Sequence, residues 1–259
     1  YYLATLLLPA RKRPYVHALY GFARYADEIV DDLASTLSPQ EKADALRTWS
    51  KGVLADLQAG RSSDHIGRAL VDTVQKFQIP HQHFVDFLHS MEMDLTVTEY
   101  NTYQDLHEYV YGSAAVIGLE MVPILGYSDE RAFDAAQKLG IAFQLADDII
   151  DIASESNESG KTPGTDLREG VPTLVTLHVL QSEDPKDAEL KQLLSGPIKD
   201  EAIVAQTLKE LRHHKALEQS RAVINKYSQE TKRHLSELPN GVAKEALFSL
   251  SEAVVSRTS

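Results

Sequence analysis

The chain contains no cysteine, which excludes thiolate metal sites, disulfide staples and a thiol nucleophile. That absence fits a reducing compartment, so the expected location is cytoplasmic. Basic residues are few beside acidic ones, 26 against 38, and the formal charge of -12 opposes broad attraction to nucleic acid or anionic lipid. No stretch approaches the roughly 20 apolar residues that span a bilayer, because the run from Leu3 to Pro9 stops at Arg11-Lys12-Arg13. Alternating β-branched runs bounded by turn residues are scarce, and little in the sequence argues for strands.

Helical periodicity recurs along almost the whole length. The spacing predicts helices over about 13–34, 39–59, 63–78, 81–95, 103–125, 129–155, 171–182, 200–208, 214–235 and 241–256. Punctuation falls at Ser38-Pro39, Gly60, Ile79-Pro80, Gly126, Ser195-Gly196-Pro197 and Pro239-Asn240-Gly241, and none of these is long enough to be an interdomain linker. The expectation is an all-α chain forming one domain over 1–259.

Two acidic clusters stand out, Asp27-Glu28-Ile29-Val30-Asp31-Asp32 and Asp147-Asp148-Ile149-Ile150-Asp151. Each sets two aspartates four residues apart on one helical face, where like charges repel unless a cation offsets them. Oxygen-only ligands suit Mg²⁺, which keeps waters and substrate phosphates in its shell. The expected site is therefore a magnesium-diphosphate centre between facing helices. Tyr20, Arg24, Asp27 and Asp31 step by four, three and four residues and form one polar stripe. Arg24 is placed to grip a diphosphate bidentately; the same spacing also fits an exposed salt-bridged surface. The second cluster lies in Gly140 to Ala153, so rich in apolar residues that the aspartates are not all expected to face solvent.

After it comes a polar segment, Ser159 to Gly170, with Lys161 and Arg168 in reach of phosphate. Its Gly-Lys-Thr resembles a P-loop, but Glu155 stands where the first glycine belongs and no strand precedes it, so nucleotide hydrolysis is rejected. His81, His83 and His89 lack zinc-helix spacing, and His213-His214 opens a basic helix; both groups are expected at the surface. The small residues from Gly112 to Ala115 permit close helix approach. Met91, Met93, Tyr109 and Tyr111 suit core packing or the lining of an apolar tunnel.

Tyr1 to Thr5, Leu7-Leu8-Pro9, His17 to Asp32, Met93-Asp94-Leu95 and Tyr109 to Gly118 together resemble the squalene/phytoene synthase family over about the first 126 residues. The resemblance implies an isoprenoid synthase fold and Mg²⁺-dependent ionisation of prenyl diphosphates, with Mn²⁺ as a substitute. It implies Asp27 and Asp31 as metal ligands, Arg24 as a diphosphate contact and Tyr20 as a catalytic lining residue. From about Leu139 the chain is instead similar to trans-polyprenyl diphosphate synthases, whose Phe-Gln-x-x-Asp-Asp-x-x-Asp is here Phe143 to Asp151 and whose Gly-Lys-x-x-Gly-x-Asp is Gly160 to Asp166. That likeness implies Asp147, Asp148 and Asp151 as metal ligands, with Gln144 and Lys161 on the diphosphate side. Asp147 and Ile150 stand where the first family has asparagine and arginine. The sequence thus reads as a junction of two related families near 126–138, natural or engineered.

What the resemblances imply is condensation of two prenyl diphosphates, head to head through a cyclopropyl diphosphate. With geranylgeranyl diphosphate the product would be phytoene-like. The squalene route needs a reductant, and no nicotinamide-binding fingerprint is present. Head-to-tail elongation with isopentenyl diphosphate is the alternative, though the first half lacks the Gly-Lys-Arg-x-Arg-Pro grip of that family. A catalytically weak prenyl-diphosphate-binding subunit is the reading from another class. A C40 product also implies peripheral membrane contact.

Overall fold

The computed structural model describes residues 5–6, 8–31, 36–154 and 162–258. Among the described residues the protein is 77% helical without strands, as its periodicity predicts. Helices run α1 Arg13–Asp31, α2 Pro39–Ala59, α3 His65–Phe77, α4 His81–Thr96, α5 Tyr103–Val110, a π-helical segment Tyr111–Ala115, and α6 Val116–Leu125. They continue as α7 Glu130–Ala153, α8 Thr165–Glu169, α9 Leu174–Leu180, α10 Ala188–Leu193, α11 Glu201–Leu211, α12 Lys215–Ser236 and α13 Val242–Ser256. Two short helices, α8 and α10, have no counterpart in the sequence reading; at five and six residues they are too brief to show a period.

The chain groups into two compact units, one of residues 1–96 and 111–137 and the other of 97–110 and 138–259. In the first, the capping box of α2 (Ser38 with Glu41) and the Asp64 cap of α3 fix where those helices start. Phe22 of α1 is wholly buried, 5.3 Å from the rings of Phe84 and Phe87 and 5.5 Å from Trp49. That cluster, with Leu19 and Ala26, fixes which face of α1 is turned inward. Gly112 lies so close to Ser90 and the Asp86 carbonyl of α4 that a side chain there would collide with both, so the small residue does permit close helix approach.

The second unit packs Ile141, Leu145, Ile149 and Ile152 of α7 with Leu174, Leu211 and Ile224 in its core. The Ser228 hydroxyl of α12 donates to the Ser251 carbonyl of α13 across 2.6 Å. His214 corrects an expectation: it is not a surface residue, because its Nδ1 caps α12 by accepting from the Ala216 amide and its Nε2 meets Asp187 at 3.2 Å. One helical run, Tyr103–Leu125, is long and apolar enough by composition to cross a membrane, which the absence of 20 apolar residues in a row did not suggest. Of its window, 44% is buried within the protein.

Candidate functional site

Burial of Phe22 and Ala26 turns Tyr20, Arg24, Asp27 and Asp31 away from the core of the first unit. Tyr20 is 42% exposed, a large ring left in the open on the same stripe. Asp27 is half-buried and Asp31 exposed. The Asp27 carboxyl is held above the usual carboxylate range, first by burial and then by the charge of Asp31, with Arg24 acting in the opposite sense. The Arg24 guanidinium meets Glu28 at 3.4 Å, and with 53% and 60% of these side chains exposed this is a loose surface pair. The stripe therefore has two carboxylates one turn apart and an arginine that is easily released. Asp32 lies outside the described residues.

On α7, the buried residues Ile141, Leu145, Ile149 and Ile152 point one way and leave Phe143, Gln144, Asp147, Asp148 and Asp151 on the other side. The three aspartates differ from one another. Asp148 is held far above its ordinary range by burial of its carboxyl, then by the charges of Asp166 and Asp147, while the Gln144 amide donates to it at 3.3 Å. Asp151 accepts from the backbone amides of Thr165 and Asp166 at 3.2 and 3.1 Å, and its own carbonyl accepts from Gly164 at 2.9 Å. It thus ties the end of α7 to the start of α8. Gly164 has φ +82°, and a side chain there would also press on Val204 and Leu208, so this junction depends on glycine.

Asp147 is 47% exposed, and its Oδ1 lies 3.9 Å from the Arg257 guanidinium, which also sits 5.6 Å above the Phe143 ring. Arg212 reaches the same end of α7, donating to the carbonyls of Ile152 and Ser154 at 2.8 and 2.7 Å. Sequence reasoning missed Arg212 and Arg257, because neither lies near the cluster in the chain and no local motif surrounds them. Lys161 lies outside the described residues; at the close of the segment that contains it, Arg168 donates to the Pro163 carbonyl and pairs with Glu201.

Among the described residues no three histidine, aspartate or glutamate side chains converge as a metal cage. The donor set still suits a hard cation. Asp27 and Asp31 supply oxygen alone and repel each other, with Arg24 offsetting this only in part, while Mg²⁺ usually takes one or two protein carboxylates and completes its shell with water and phosphate.

A family model described as squalene/phytoene synthase matches residues 1–195, past the 126 residues expected and through the second acidic cluster. A nonaprenyl diphosphate synthase of Mycobacterium tuberculosis is 45% identical over 128 residues, 49% of this chain and 38% of that protein. A chloroplastic phytoene synthase of Narcissus pseudonarcissus is 36% identical over 163 residues, 60% of this chain and 37% of that protein. The chain thus spans well under half the length of either relative. A crystal structure of a dehydrosqualene synthase in complex with ligand superposes with a TM-score of 0.65 at 25% identity, covering 98% of this chain and 78% of that one. The fold is that of isoprenoid synthases.

Proposed function

Because the chain belongs to the squalene/phytoene synthase family, we propose that it is a Mg²⁺-dependent prenyltransferase joining two prenyl diphosphates head to head. The proposed reaction takes geranylgeranyl diphosphate through a cyclopropyl diphosphate to a phytoene-like hydrocarbon. The observation that carries this reading is the open stripe of α1, where Tyr20, Arg24, Asp27 and Asp31 stand clear of a core fixed by Phe22. Asp27 and Asp31 would hold a cation on that stripe, and Asp147 would hold one on α7. When bound, Mg²⁺ supplies charge that stabilises pyrophosphate as it leaves. Arg24 exchanges its exposed Glu28 partner for a diphosphate oxygen at little cost, since such surface pairs contribute about 0–1 kcal/mol. The face of Tyr20 turns its negative quadrupole toward the developing allylic cation. Gln144 orients Asp148, whose raised pKa favours the protonated form, and Asp151 fixes the segment after α7.

Head-to-tail elongation with isopentenyl diphosphate is the second reading. The run Phe143 to Asp151 and the 45% identity to a nonaprenyl diphosphate synthase favour it. Those two likenesses also support the junction of two families near 126–138, although the family match continues to residue 195. Under either reading residues 1–259 act as one catalytic domain, cytoplasmic and in peripheral contact with a membrane that receives the product. The test is incubation with Mg²⁺ and geranylgeranyl diphosphate, with and without isopentenyl diphosphate, followed by mass analysis. A C40 hydrocarbon formed without isopentenyl diphosphate supports head-to-head coupling. Longer prenyl diphosphates formed only in its presence overturn it, and no release of pyrophosphate in either case leaves a binding subunit.

A further inference from the structure

From Leu139 to Ala153, the part of α7 that carries the second acidic cluster has no lysine or arginine. Ile150, within the cluster, is buried and apolar. A cluster that handles diphosphate needs a cation with N–H donors, so the basic group must come from elsewhere in the unit. Two arginines near it are already committed. Arg212 donates to the Ile152 and Ser154 carbonyls, and Arg168 to the Pro163 carbonyl and the Glu201 carboxylate.

Arg257 is held differently. Its backbone is pinned, because its amide donates to the Ala253 carbonyl at 3.0 Å and the next residue, buried Thr258, accepts from the Arg221 guanidinium at 2.5 Å. Its side chain is not pinned. The guanidinium rests over the exposed Phe143 ring at 5.6 Å, and its approach to Asp147, 3.9 Å, is too long for a hydrogen bond. With 45% and 47% of the two side chains exposed, this contact is a weak and exchangeable ion pair. A cation–π seat fixes the plane of the guanidinium while leaving its edge donors available to an anion.

We propose that Arg257 supplies a diphosphate-contacting cation to the second acidic cluster, resting beside Asp147 in the free chain and turning its donors to the diphosphate when substrate binds. The proposal rests on the reading of this cluster as a metal-diphosphate site. It also gives Phe143 a role, since an exposed ring at this point of α7 parks the arginine within reach.

The test uses Arg257→Gln and Arg257→Lys in the full chain, with calorimetric titration of Mg²⁺ alone and of inorganic pyrophosphate in the presence of Mg²⁺. Loss of a competing positive charge should tighten Mg²⁺ binding by about two- to fivefold in Arg257→Gln. Loss of a bidentate donor should weaken pyrophosphate binding by about tenfold. Arg257→Lys should recover part of the second effect, and KM for the prenyl diphosphate should rise more than kcat falls. Opposite movement of the two affinities is the signature, because an unfolded or loosened variant would lose both. Should Arg257→Gln fail to fold, Phe143→Leu keeps the arginine but removes its seat, and should weaken pyrophosphate by about two- to threefold. Pyrophosphate affinity unchanged in both Arg257→Gln and Phe143→Leu, or both affinities falling together, overturns the assignment. Wild-type turnover with unchanged pyrophosphate binding in Arg257→Gln sinks Arg257 alone. Arg257-dependent pyrophosphate binding without turnover sinks the proposed reaction and leaves Arg257 in place.

Discussion

Two helices carry the same motif, aspartates four residues apart, and the protein uses it in two ways. On α1 the pair stands on an amphipathic helix whose inner face is fixed by an aromatic cluster, so Asp31 is exposed and Asp27, one turn before it, half-buried on the same face. On α7 the pair stands in an apolar helix, and its aspartates divide the work: Asp147 is exposed beside Arg257, Asp148 is driven toward its protonated form, and Asp151 holds two backbone amides. Identical spacing therefore gives a row along one polar face where the helix has a solvent side, and separate partners for each carboxylate where it has little of one. Surroundings, not spacing, set what a carboxylate can do.

The sharpest attempt to break this contrast is to remove one aspartate of each kind. Asp27→Ala and Asp147→Ala should each reduce pyrophosphate release from a prenyl diphosphate by on the order of 10²–10³-fold, the effect of losing a group that stabilises developing charge. Helical circular dichroism should stay unchanged, since neither side chain packs in a core. Near-normal turnover in either variant removes that residue from the site.

A carboxyl outside both rows tests whether a raised pKa marks function at all. Glu120 on α6 is 0% exposed, neither of its oxygens has a hydrogen-bond partner, and burial lifts its pKa from 4.5 to about 8. The folded form keeps the proton while the unfolded chain releases it. Its contribution is therefore whole below pH 4.5, falls as pH rises from 4.5 to about 8, and stays at its minimum above that. Glu120→Met should raise stability at pH 9 by roughly 3 kcal/mol and remove the slope between pH 4.5 and about 8 from a urea-denaturation profile. A variant that keeps the wild-type slope would mean that another group titrates there. If the expected result is seen, burial alone produces such shifts, and the elevated Asp148 is no evidence of catalysis without its acidic neighbours.

The long helices were legible because amphipathic stripes and caps are local. Pro14 in the first turn of α1, the Ser38-Pro39 break before α2 and the Gly126 stop all lie where the spacing places them. The stripe Tyr20, Arg24, Asp27 and Asp31 was legible for the same reason. The roles within the second cluster were not, because they depend on residues distant in sequence: amides of Thr165 and Asp166, the charge of Asp166, and a guanidinium from the end of α13. Helices α8 and α10 were missed for want of length. The division of the chain into two units, with a boundary at 137–138 inside α7, could not be seen either, since no linker marks it.

Asp151 and Asp147 separate structure from chemistry within one cluster. Asp151→Ala removes an acceptor from two backbone amides and should cost about 1–2 kcal/mol of stability. Asp147→Ala, at a side chain 47% exposed and only 3.9 Å from a half-exposed arginine, should stay within about 0.5 kcal/mol of wild type. Thermal denaturation of the two variants side by side measures the difference, and equal losses would show that the two aspartates are structurally alike.

The smallest effect decides whether the α1 stripe is more than a decorated surface. Arg24 pairs only loosely with Glu28, and both ends are largely in water. Exposed i,i+4 pairs contribute about 0.3–0.5 kcal/mol, so Arg24→Gln should leave the denaturation midpoint almost where it was. If the stripe binds anions, the same substitution should still weaken inorganic pyrophosphate in the presence of Mg²⁺ by about three- to tenfold, because a charge-assisted donor is lost where charge matters. Stability and binding then move independently, as expected when a side chain is placed for a ligand and not for the fold. A shift in the midpoint with unchanged pyrophosphate affinity would reverse that conclusion and make the row an ordinary salt-bridged helix face.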